Sequence, residues 1–199
     1  MTRRSRAEML KETRANLIKA ARSAFAEKGY AGASMDDLTA RVGLTRGALY
    51  HHFGDKRGLL AAVVEEIDSD MAMQAHEIGQ RQTNSWEALM KEGEAYIELA
   101  LDPEIQRIVL LDGPSVLGDP AQWPSQNRCL QATMTTLERL MDESFIKPVD
   151  IEAAARLLNG AAMNAALWVA GSDTPEKVLG RAIHAFRQLA SGLRISPDR

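Results

Sequence analysis

The sequence predicts an all-helical fold, and three observations support this prediction. Apolar residues recur at three- and four-residue steps through most of the 199-residue chain, which is the period of an amphipathic helix. No segment alternates apolar and polar residues as a half-buried strand would, and no Asn-Gly hairpin turn is present. Glycine, proline and N-capping residues divide the chain into helix-sized segments. The length suffices for one large domain or two small ones with a substantial core.

The first two predicted helices end at glycines. The first ends near Gly29, a residue suited to the left-handed conformation that stops a helix. The second is short: it follows Ser34 as N-cap, has Asp36 and Asp37 in its first turn, where the helix dipole favours negative charge, and ends at Gly43. The apolar stripe of the first helix consists of Leu10, Leu17, Ile18, Ala21, Ala24 and Phe25.

A third short helix is predicted from the N-cap Thr45 to Gly54, and Asp55 caps a long fourth helix. The inward side of that fourth helix is predicted to carry Leu59, Leu60, Val63, Ile67, Met71 and Ile78.

Later helices are longer, and the breaks between them contain proline or glycine. The clearest boundary is Gly171–Pro175, where an N-cap precedes a proline at the first helical position. The stretch Gly113–Asn127 contains three prolines and is predicted to be a long loop, with a pocket lid as one role for it. The helices are predicted at 84–101, 103–111, 121–145, 150–170 and 174–193.

Charge is distributed unevenly along the chain. Residues 1–60 carry 12 of the 24 Lys and Arg but only 6 of the 27 Asp and Glu, a net charge of +6, whereas residues 61–199 carry −9. This division suggests a head that binds a polyanion, joined to a separate body. The alternative is a solvated charged arm. Arg3, Arg4 and Arg6 either reach a neighbouring DNA groove or form a disordered arm.

Composition and motifs exclude several classes of protein. The single cysteine, Cys129, excludes an intramolecular disulfide framework and a cysteine-based zinc cluster. The N-terminus lacks the apolar core of a secretory signal, and no apolar run approaches a membrane span, so we expect a soluble, cytoplasmic protein. The chain contains no Walker loop, no Gly-x-Gly-x-x-Gly and no His-Glu-x-x-His. We therefore expect neither an enzyme nor a resident cofactor.

The second and third helices have the character of a helix-turn-helix, in which the second helix of the pair enters the DNA major groove. Leu44, Leu49 and Phe53 suit its packed side, and the absence of a side chain at Gly47 allows close approach to DNA. On the opposite side, Arg46 suits bidentate recognition of guanine. Lys56, at the start of the next helix, suits a phosphate. The predicted DNA-facing residues are Thr45, Arg46, Gly47, Tyr50, His51 and Lys56.

Two aromatic features have competing interpretations. For Tyr50 we favour a phosphate contact through its hydroxyl over a purely packing role. His51 and His52 do not suggest a metal site, because adjacent helical residues point about 100° apart and further ligands are absent nearby. His52 is instead expected to form a structural hydrogen bond.

From Leu17 to Leu60 the chain resembles the DNA-binding domain of TetR-type (tetracycline-repressor-like) bacterial regulators. One departure is Thr39, where the family usually has alanine. The resemblance places the family's DNA-facing residues on the same six positions and adds Ser34 as a phosphate contact at a helix N-terminus. It is carried by Ala20-Ala21, Phe25, Gly29-Tyr30, Ser34-Met35, Leu38, Gly43-Leu44-Thr45, Gly47, Leu49-Tyr50-His51-His52-Phe53, Lys56 and Leu59-Leu60.

For the remainder of the chain the resemblance implies an all-helical ligand-sensing domain whose last two helices form a homodimer's four-helix bundle. The expected division is a helix-turn-helix DNA-binding domain at 1–54, a connecting helix at 55–80 and a sensing and dimerisation domain at 81–199. The expected function is a one-component transcriptional regulator, most simply a repressor, that binds a palindromic operator as a homodimer and is released by a small-molecule effector. The alternatives are an activator and a ligand-independent architectural DNA binder.

Apolar and flexible residues of the middle helices are the candidates for lining an effector cavity. Each of them has a competing role as ordinary core, the commoner role of methionines at helical spacing. Glu94 and Glu98 are candidates to counter a cationic ligand, with a solvated helix face as the favoured alternative. The cavity candidates are Tyr96, Ile105, Val109, Trp123, Met134, Leu137, Met141, Met163 and Trp168.

Overall fold

The computed structural model describes residues 5–195, which form helices joined by short turns. Within this range the strand-type pairing is limited to an isolated bridge between Ile146 and Arg194. The predicted all-helical fold is therefore confirmed. Of the basic arm, Arg3 and Arg4 lie outside the described residues, and Arg6 begins the first helix. No helix in the described part of the chain is both long and apolar enough to cross a lipid bilayer.

Ten α-helices, two 3₁₀ turns and one π-helical segment cover the described residues. The 3₁₀ turns are Leu99–Leu101 and Pro120–Gln122, and the π-helix is Gln106–Asp112. The α-helices are α1 (Arg6–Gly32), α2 (Met35–Arg41), α3 (Arg46–Phe53), α4 (Lys56–Gln80), α5 (Ser85–Glu98), α6 (Pro103–Ile105), α7 (Gly113–Leu117), α8 (Pro124–Asp142), α9 (Ile151–Ala170) and α10 (Pro175–Ser191).

Helices α1 to α3 pack around Phe25, Leu38 and Leu49, which are almost completely buried. As predicted, the side chains of Ser34 and Thr45 accept hydrogen bonds from backbone N–H groups in the first turns of α2 and α3. Each cap satisfies one of the donors that a helix N-terminus leaves unpaired, which stabilises the helix by about 0.5–2 kcal/mol. Local sequence signals therefore position this three-helix head.

The first helix differs from the prediction at both ends. Gly29 has a φ of 70°, as expected for a glycine at a helix end, but helical turns resume beyond this kink and α1 continues to Gly32. Leu10, predicted to face inward, is exposed, because the first turns of α1 extend past the helices against which the rest of α1 packs.

The predicted loop Gly113–Asn127 is wrong, since most of this stretch is helical. Each of its three prolines lies in the first turn of a helical element, where the missing N–H would have no intrahelical partner. The lid role suggested for this stretch stays a prediction. Gly113 is required here because a Cβ atom would lie 2.9 Å from the Trp123 ring.

The long helix α4 joins the head to the body and packs most extensively against α5. Helices α5, α8, α9 and α10 complete the body, and α9 contacts each of the other three. Small residues of α9 lie inside this bundle, where Ala155 and Ala166 are fully buried.

Candidate nucleic-acid interface and internal cavity

Helix α3 is held by its apolar side and leaves the opposite side open. Leu49, on the apolar side of α3, is fully buried. Arg46, Tyr50 and His51 are exposed, as is the N-cap residue Thr45. The surface above Gly47 is also open, since the nearest atom to a Cβ added there would be 3.7 Å away. The helix N-terminus and its exposed side chains thus form one accessible polar surface, the geometry that a recognition helix requires.

The guanidinium group of Arg46 is already paired in the free protein. Its Nη2 atom donates to Oδ2 of Asp36 at 2.8 Å, and Nε contacts the other carboxylate oxygen. Both side chains are exposed, so water and salt weaken this ion pair. Sequence reasoning assigned Asp36 only to the dipole of α2 and missed this partner, which lies ten residues away on a different helix.

Lys56 lies at the N-terminus of α4, and Ser34 lies at the N-terminus of α2. The Lys56 ammonium is 4.7 Å from the centre of the Tyr30 ring and donates to the carbonyl of Ala31 at 3.4 Å. Partial burial lowers the pKa of Lys56, and the nearby carboxylate of Asp112 opposes this effect. Ser34 uses its hydroxyl oxygen to cap α2.

Thr39, the departure from the family pattern, fits a buried position in α2. Its hydroxyl lies 3.1 Å from the backbone carbonyl oxygens of both Met35 and Asp36. The hydroxyl is therefore satisfied within its own helix, which allows threonine at this buried position.

The rings of His51 and His52 meet edge to face, with centroids 5.6 Å apart. His52 also lies 6.0 Å from the Phe53 ring. Within residues 5–195, no group of three or more His, Cys, Asp or Glu side chains is placed to hold a metal ion.

Polar contacts tie the head to the body. Arg22 of α1 forms a bidentate pair with Glu104 of α6 at 2.9 and 2.7 Å, and also reaches Asp70 of α4 at 3.3 Å. These partners raise the pKa of Arg22, although partial burial opposes them. Bidentate geometry makes this the most directional of the head–body contacts.

A second contact lies at the Gly29 kink. The backbone N–H of Tyr30 donates to Oδ2 of Asp112 at 2.7 Å, and Arg107 approaches the same carboxylate oxygen at 3.4 Å. A Cβ atom at Gly29 would lie 1.9 Å from the Arg107 guanidinium, the movable end of a flexible side chain, so glycine is required here by its positive φ. The π-helix that carries these two side chains therefore packs directly on the end of α1.

A third contact involves the start of α4. Arg57 donates to the backbone carbonyls of Val116 at 3.2 Å and Leu117 at 3.3 Å, at the C-terminal end of α7. The segment from α6 to α7 thus contacts α1 of the head at two points and the start of α4 at a third. A displacement of this segment would therefore act on α1 and α4 together.

A partly open cavity of about 70 Å³ lies between α4, α5, α8, α9 and α10. This volume holds several water molecules and is small compared with drug-sized sites of about 300–1,000 Å³. The cavity is lined by Ala72, Ala75, Leu89, Glu92, Gly93, Tyr96, Gln126, Cys129, Thr133, Leu158, Asn159, Ala162 and Phe186.

The nine cavity candidates from the sequence are dispersed. Tyr96 lines the cavity, and the Met163 sulfur lies 3.7 Å from its hydroxyl oxygen. Trp168 is 44% exposed beneath Arg181. The others lie outside the cavity: Ile105, Val109, Trp123 and Leu137 are buried, and Met134 and Met141 are partly buried against the core.

A buried carboxylate behind the cavity was missed. Asp68 of α4 is 0% exposed, and its two oxygens accept hydrogen bonds from the Tyr96 hydroxyl at 3.2 Å and the Gln126 amide at 2.9 Å. The sequence does contain a signal, because Asp68 lies four residues after Val64 and three before Met71, both on the buried side of α4. The polar residues of the cavity are therefore connected to α4.

Glu94 does not face the cavity or the solvent. It is buried and paired with Arg187 and Lys91, so the solvated face favoured from the sequence is wrong for this residue; Glu98 is exposed. Burial alone would raise the pKa of Glu94, but the hydrogen bonds from Arg187 and Lys91 outweigh it and the pKa is lowered.

Cys129 lies in the cavity wall, where burial raises its pKa to about 11. Its thiol is thus protonated near neutral pH, unlike a nucleophilic cysteine.

Comparison with known proteins agrees with this architecture. The family model described as "Bacterial regulatory proteins, tetR family" matches residues 17–63. The model described as "Tetracyclin repressor-like, C-terminal domain" matches residues 86–193, more than half of the chain.

Relatives extend the match over both segments. The chain is 28% identical to the Transposon Tn10 TetC protein of Escherichia coli over 196 residues, which span 94% of this chain and 95% of that protein. It is 31% identical to the HTH-type transcriptional repressor AcnR of Corynebacterium jeikeium over 151 residues, 75% of this chain and 77% of that protein. A crystal structure of a TetR-family transcriptional regulator from Pectobacterium atrosepticum is 44% identical, with a TM-score of 0.88 and coverage of 98% and 100%. The chain therefore belongs to the TetR family of bacterial transcriptional regulators, which are DNA-binding proteins and not enzymes.

Proposed function

We propose that this regulator is a repressor that binds a palindromic operator as a homodimer and leaves it when a small molecule occupies the body cavity. The proposed division is a DNA-binding head at 1–54, the connecting α4 at 55–80, and a sensing and dimerisation body at 81–199. The residues proposed to contact DNA are Ser34, Thr45, Arg46, Gly47, Tyr50, His51 and Lys56.

The proposed DNA contacts divide into two kinds. Arg46 reads a base, because its planar donors match the O6 and N7 acceptors of guanine once it leaves Asp36. Lys56 and the helix N-termini capped by Ser34 and Thr45 bind phosphates, which fix orientation without reading sequence. Tyr50 adds a hydroxyl at the edge of this surface.

The outer surface of α9 and α10 supports the homodimer. Leu157 is 75% exposed, Leu189 is 70% exposed and Trp168 is 44% exposed. Leu157 and Trp168 are eleven residues apart, close to three helical turns, so they lie along one side of α9. Large apolar side chains grouped on two adjacent helices are typical of a surface that a partner covers. A dimer with heads about 34–36 Å apart would meet successive major grooves.

Control by a ligand is supported most strongly by the course of α4. This helix begins beside the recognition helix with Lys56, and its later turns supply Ala72 and Ala75 to the cavity wall. A ligand that displaces α5 or α8 therefore acts on the element that carries the head, and shifts the population away from the DNA-binding arrangement.

The experiment is a selected-site search with the full chain, followed by fluorescence anisotropy titration of the selected duplex. The proposal predicts a palindromic site, two chains per duplex, and release by at least one compound of a small-molecule library. A non-palindromic site bound by one chain would overturn the dimer, and affinity unchanged by every compound that binds the cavity would overturn effector release. Transcription from a reporter carrying the site upstream of or across the promoter distinguishes repression from activation.

A further inference from the structure

The buried carboxylate of Asp68 lacks a cationic partner. Among the described residues it accepts hydrogen bonds from two neutral groups and takes part in no ion pair. Arg128, whose charge acts on Asp68 from a distance, is itself bonded to Glu65 at 2.6 Å and to Ser69 at 2.8 Å. An ionised carboxylate away from water is costly unless an opposite charge compensates it. The Asp68 carboxylate behind the cavity therefore has no positive charge to compensate it.

The two residues that bond Asp68 also line the cavity. Tyr96 gives its hydroxyl hydrogen to Asp68, and burial together with the Asp68 charge raises the pKa of Tyr96 well above its ordinary value, so that hydrogen is retained. Gln126 gives an amide hydrogen to the same carboxylate. Both side chains keep oxygen lone pairs, on the Tyr96 hydroxyl and on the Gln126 amide, and Gln126 also keeps a second amide hydrogen.

Asn159 is a further polar residue of the cavity wall. The Thr133 hydroxyl donates to Oδ1 of Asn159 at 2.9 Å and also lies 3.0 Å from the Cys129 carbonyl. The Nδ2 atom of Asn159 is buried without a hydrogen-bond partner among the described residues.

The rest of the cavity wall has the same electrostatic sign. Glu92 contributes a carboxylate, and the lining residues include no Lys, Arg or His. His76 contacts Glu92 at 3.3 Å from outside the lining. The remaining wall is apolar and includes the ring of Phe186 and the side chain of Leu89.

We propose that the ligand of this cavity is a small organic amine in its protonated form. Its ammonium group donates to the oxygens of Tyr96 and Gln126 and compensates Asp68, and its apolar part packs against Phe186. This inference rests on the proposed function, because it names the chemical class of the effector. It excludes anionic ligands and ranks neutral isosteres below the amine.

The test compares benzylamine with benzyl alcohol and benzoate, which share the ring but differ in charge. Binding of each to the full chain is measured by calorimetry at neutral pH. Benzylamine is expected to bind at least tenfold more tightly than the other two. Equal or tighter binding of benzyl alcohol or benzoate, or no binding of benzylamine, overturns the proposal.

Variants place the binding in the cavity. Asp68→Asn and Glu92→Gln are each expected to weaken benzylamine about tenfold while changing benzyl alcohol little. Glu98→Gln removes the same charge from the exposed side of α5 and is the matched control. Glu92 is half-buried, so its variant keeps the test decisive if Asp68→Asn fails to fold. Unchanged benzylamine affinity in the Glu92 variant, or a loss equal to that of the Glu98 control, overturns the site.

Operator release is measured separately by anisotropy. Benzylamine that binds the cavity without releasing DNA supports the ligand class and contradicts the proposed effector control. Release of DNA by benzoate or benzyl alcohol, without binding of benzylamine, supports effector control and contradicts the proposed ligand class.

Discussion

Replacing Asp36 by asparagine is expected to tighten operator binding. In the free protein the Arg46 guanidinium is held by Asp36 through two contacts, and it must leave them before it meets a base edge. An exposed ion pair contributes about 0.2–1 kcal/mol, so its removal corresponds to a gain of about 1.5- to 5-fold in affinity. The measurement is fluorescence anisotropy with the selected operator at moderate ionic strength.

Two controls separate this effect from a general change in charge. Asp37→Asn removes the neighbouring carboxylate of the same helical turn, which pairs with Lys28 and not with Arg46. It measures the repulsion between an acidic residue and DNA, and its gain is subtracted. The Asp36 effect must also vanish when Arg46 is alanine, because the pair no longer exists. An equal gain from both aspartate variants, or a gain that persists without Arg46, would refute the reasoning.

Four further outcomes are expected. Lys56→Ala should weaken all DNA sequences alike and reduce the salt slope of binding by about 0.9, measured by titration at several salt concentrations; a change in base preference would contradict the phosphate role. Glu94→Gln should destabilise the chain by about 1.5–3 kcal/mol in urea unfolding at pH 7, because Arg187 loses its charged partner. Since folding lowers the pKa of Glu94, its contribution is present above the unfolded pKa and lost as pH falls through the folded value, so the difference between variant and wild type should shrink in acid. Alkylation of Cys129 by iodoacetamide should be slow at pH 7 and rise toward pH 11, and a fast reaction at neutral pH would contradict its raised pKa. Leu189→Glu should shift sedimentation from dimer to monomer without lowering thermal stability of the monomer, whereas Gln188→Glu, also exposed on α10, should not.

The head was predictable because its signals are local. A cap such as Ser34 or Thr45 acts within three residues, and Gly29 and Gly54 have the positive φ that their positions suggest. The stretch Gly113–Asn127 was mispredicted because a proline that begins a helix and one that lies in a loop look alike in a sequence.

The cavity was harder to predict because it depends on tertiary contacts. Apolar residues such as Leu137 and Leu89 have the same periodicity, yet one lies in the core and the other in the cavity wall. Asp68 receives its partners from α5 and α8, which no local pattern of α4 records. The pairing of Asp36 with Arg46 is invisible for the same reason.

Helix α4 runs for 25 residues without a break, so a small tilt at the cavity produces a larger displacement at the head end. From Ala72, in the cavity wall, to Lys56 the helix axis extends about 24 Å at 1.5 Å per residue. A tilt of about 5° at the cavity therefore displaces the head end by about 2 Å, by the geometry of a rigid helix. A displacement of that size exceeds the tolerance of a hydrogen bond, whose usual range of donor–acceptor distance spans about 0.5 Å. A cavity that holds only a few small groups is therefore large enough to control a protein–DNA contact, because the length of the helix supplies the amplification.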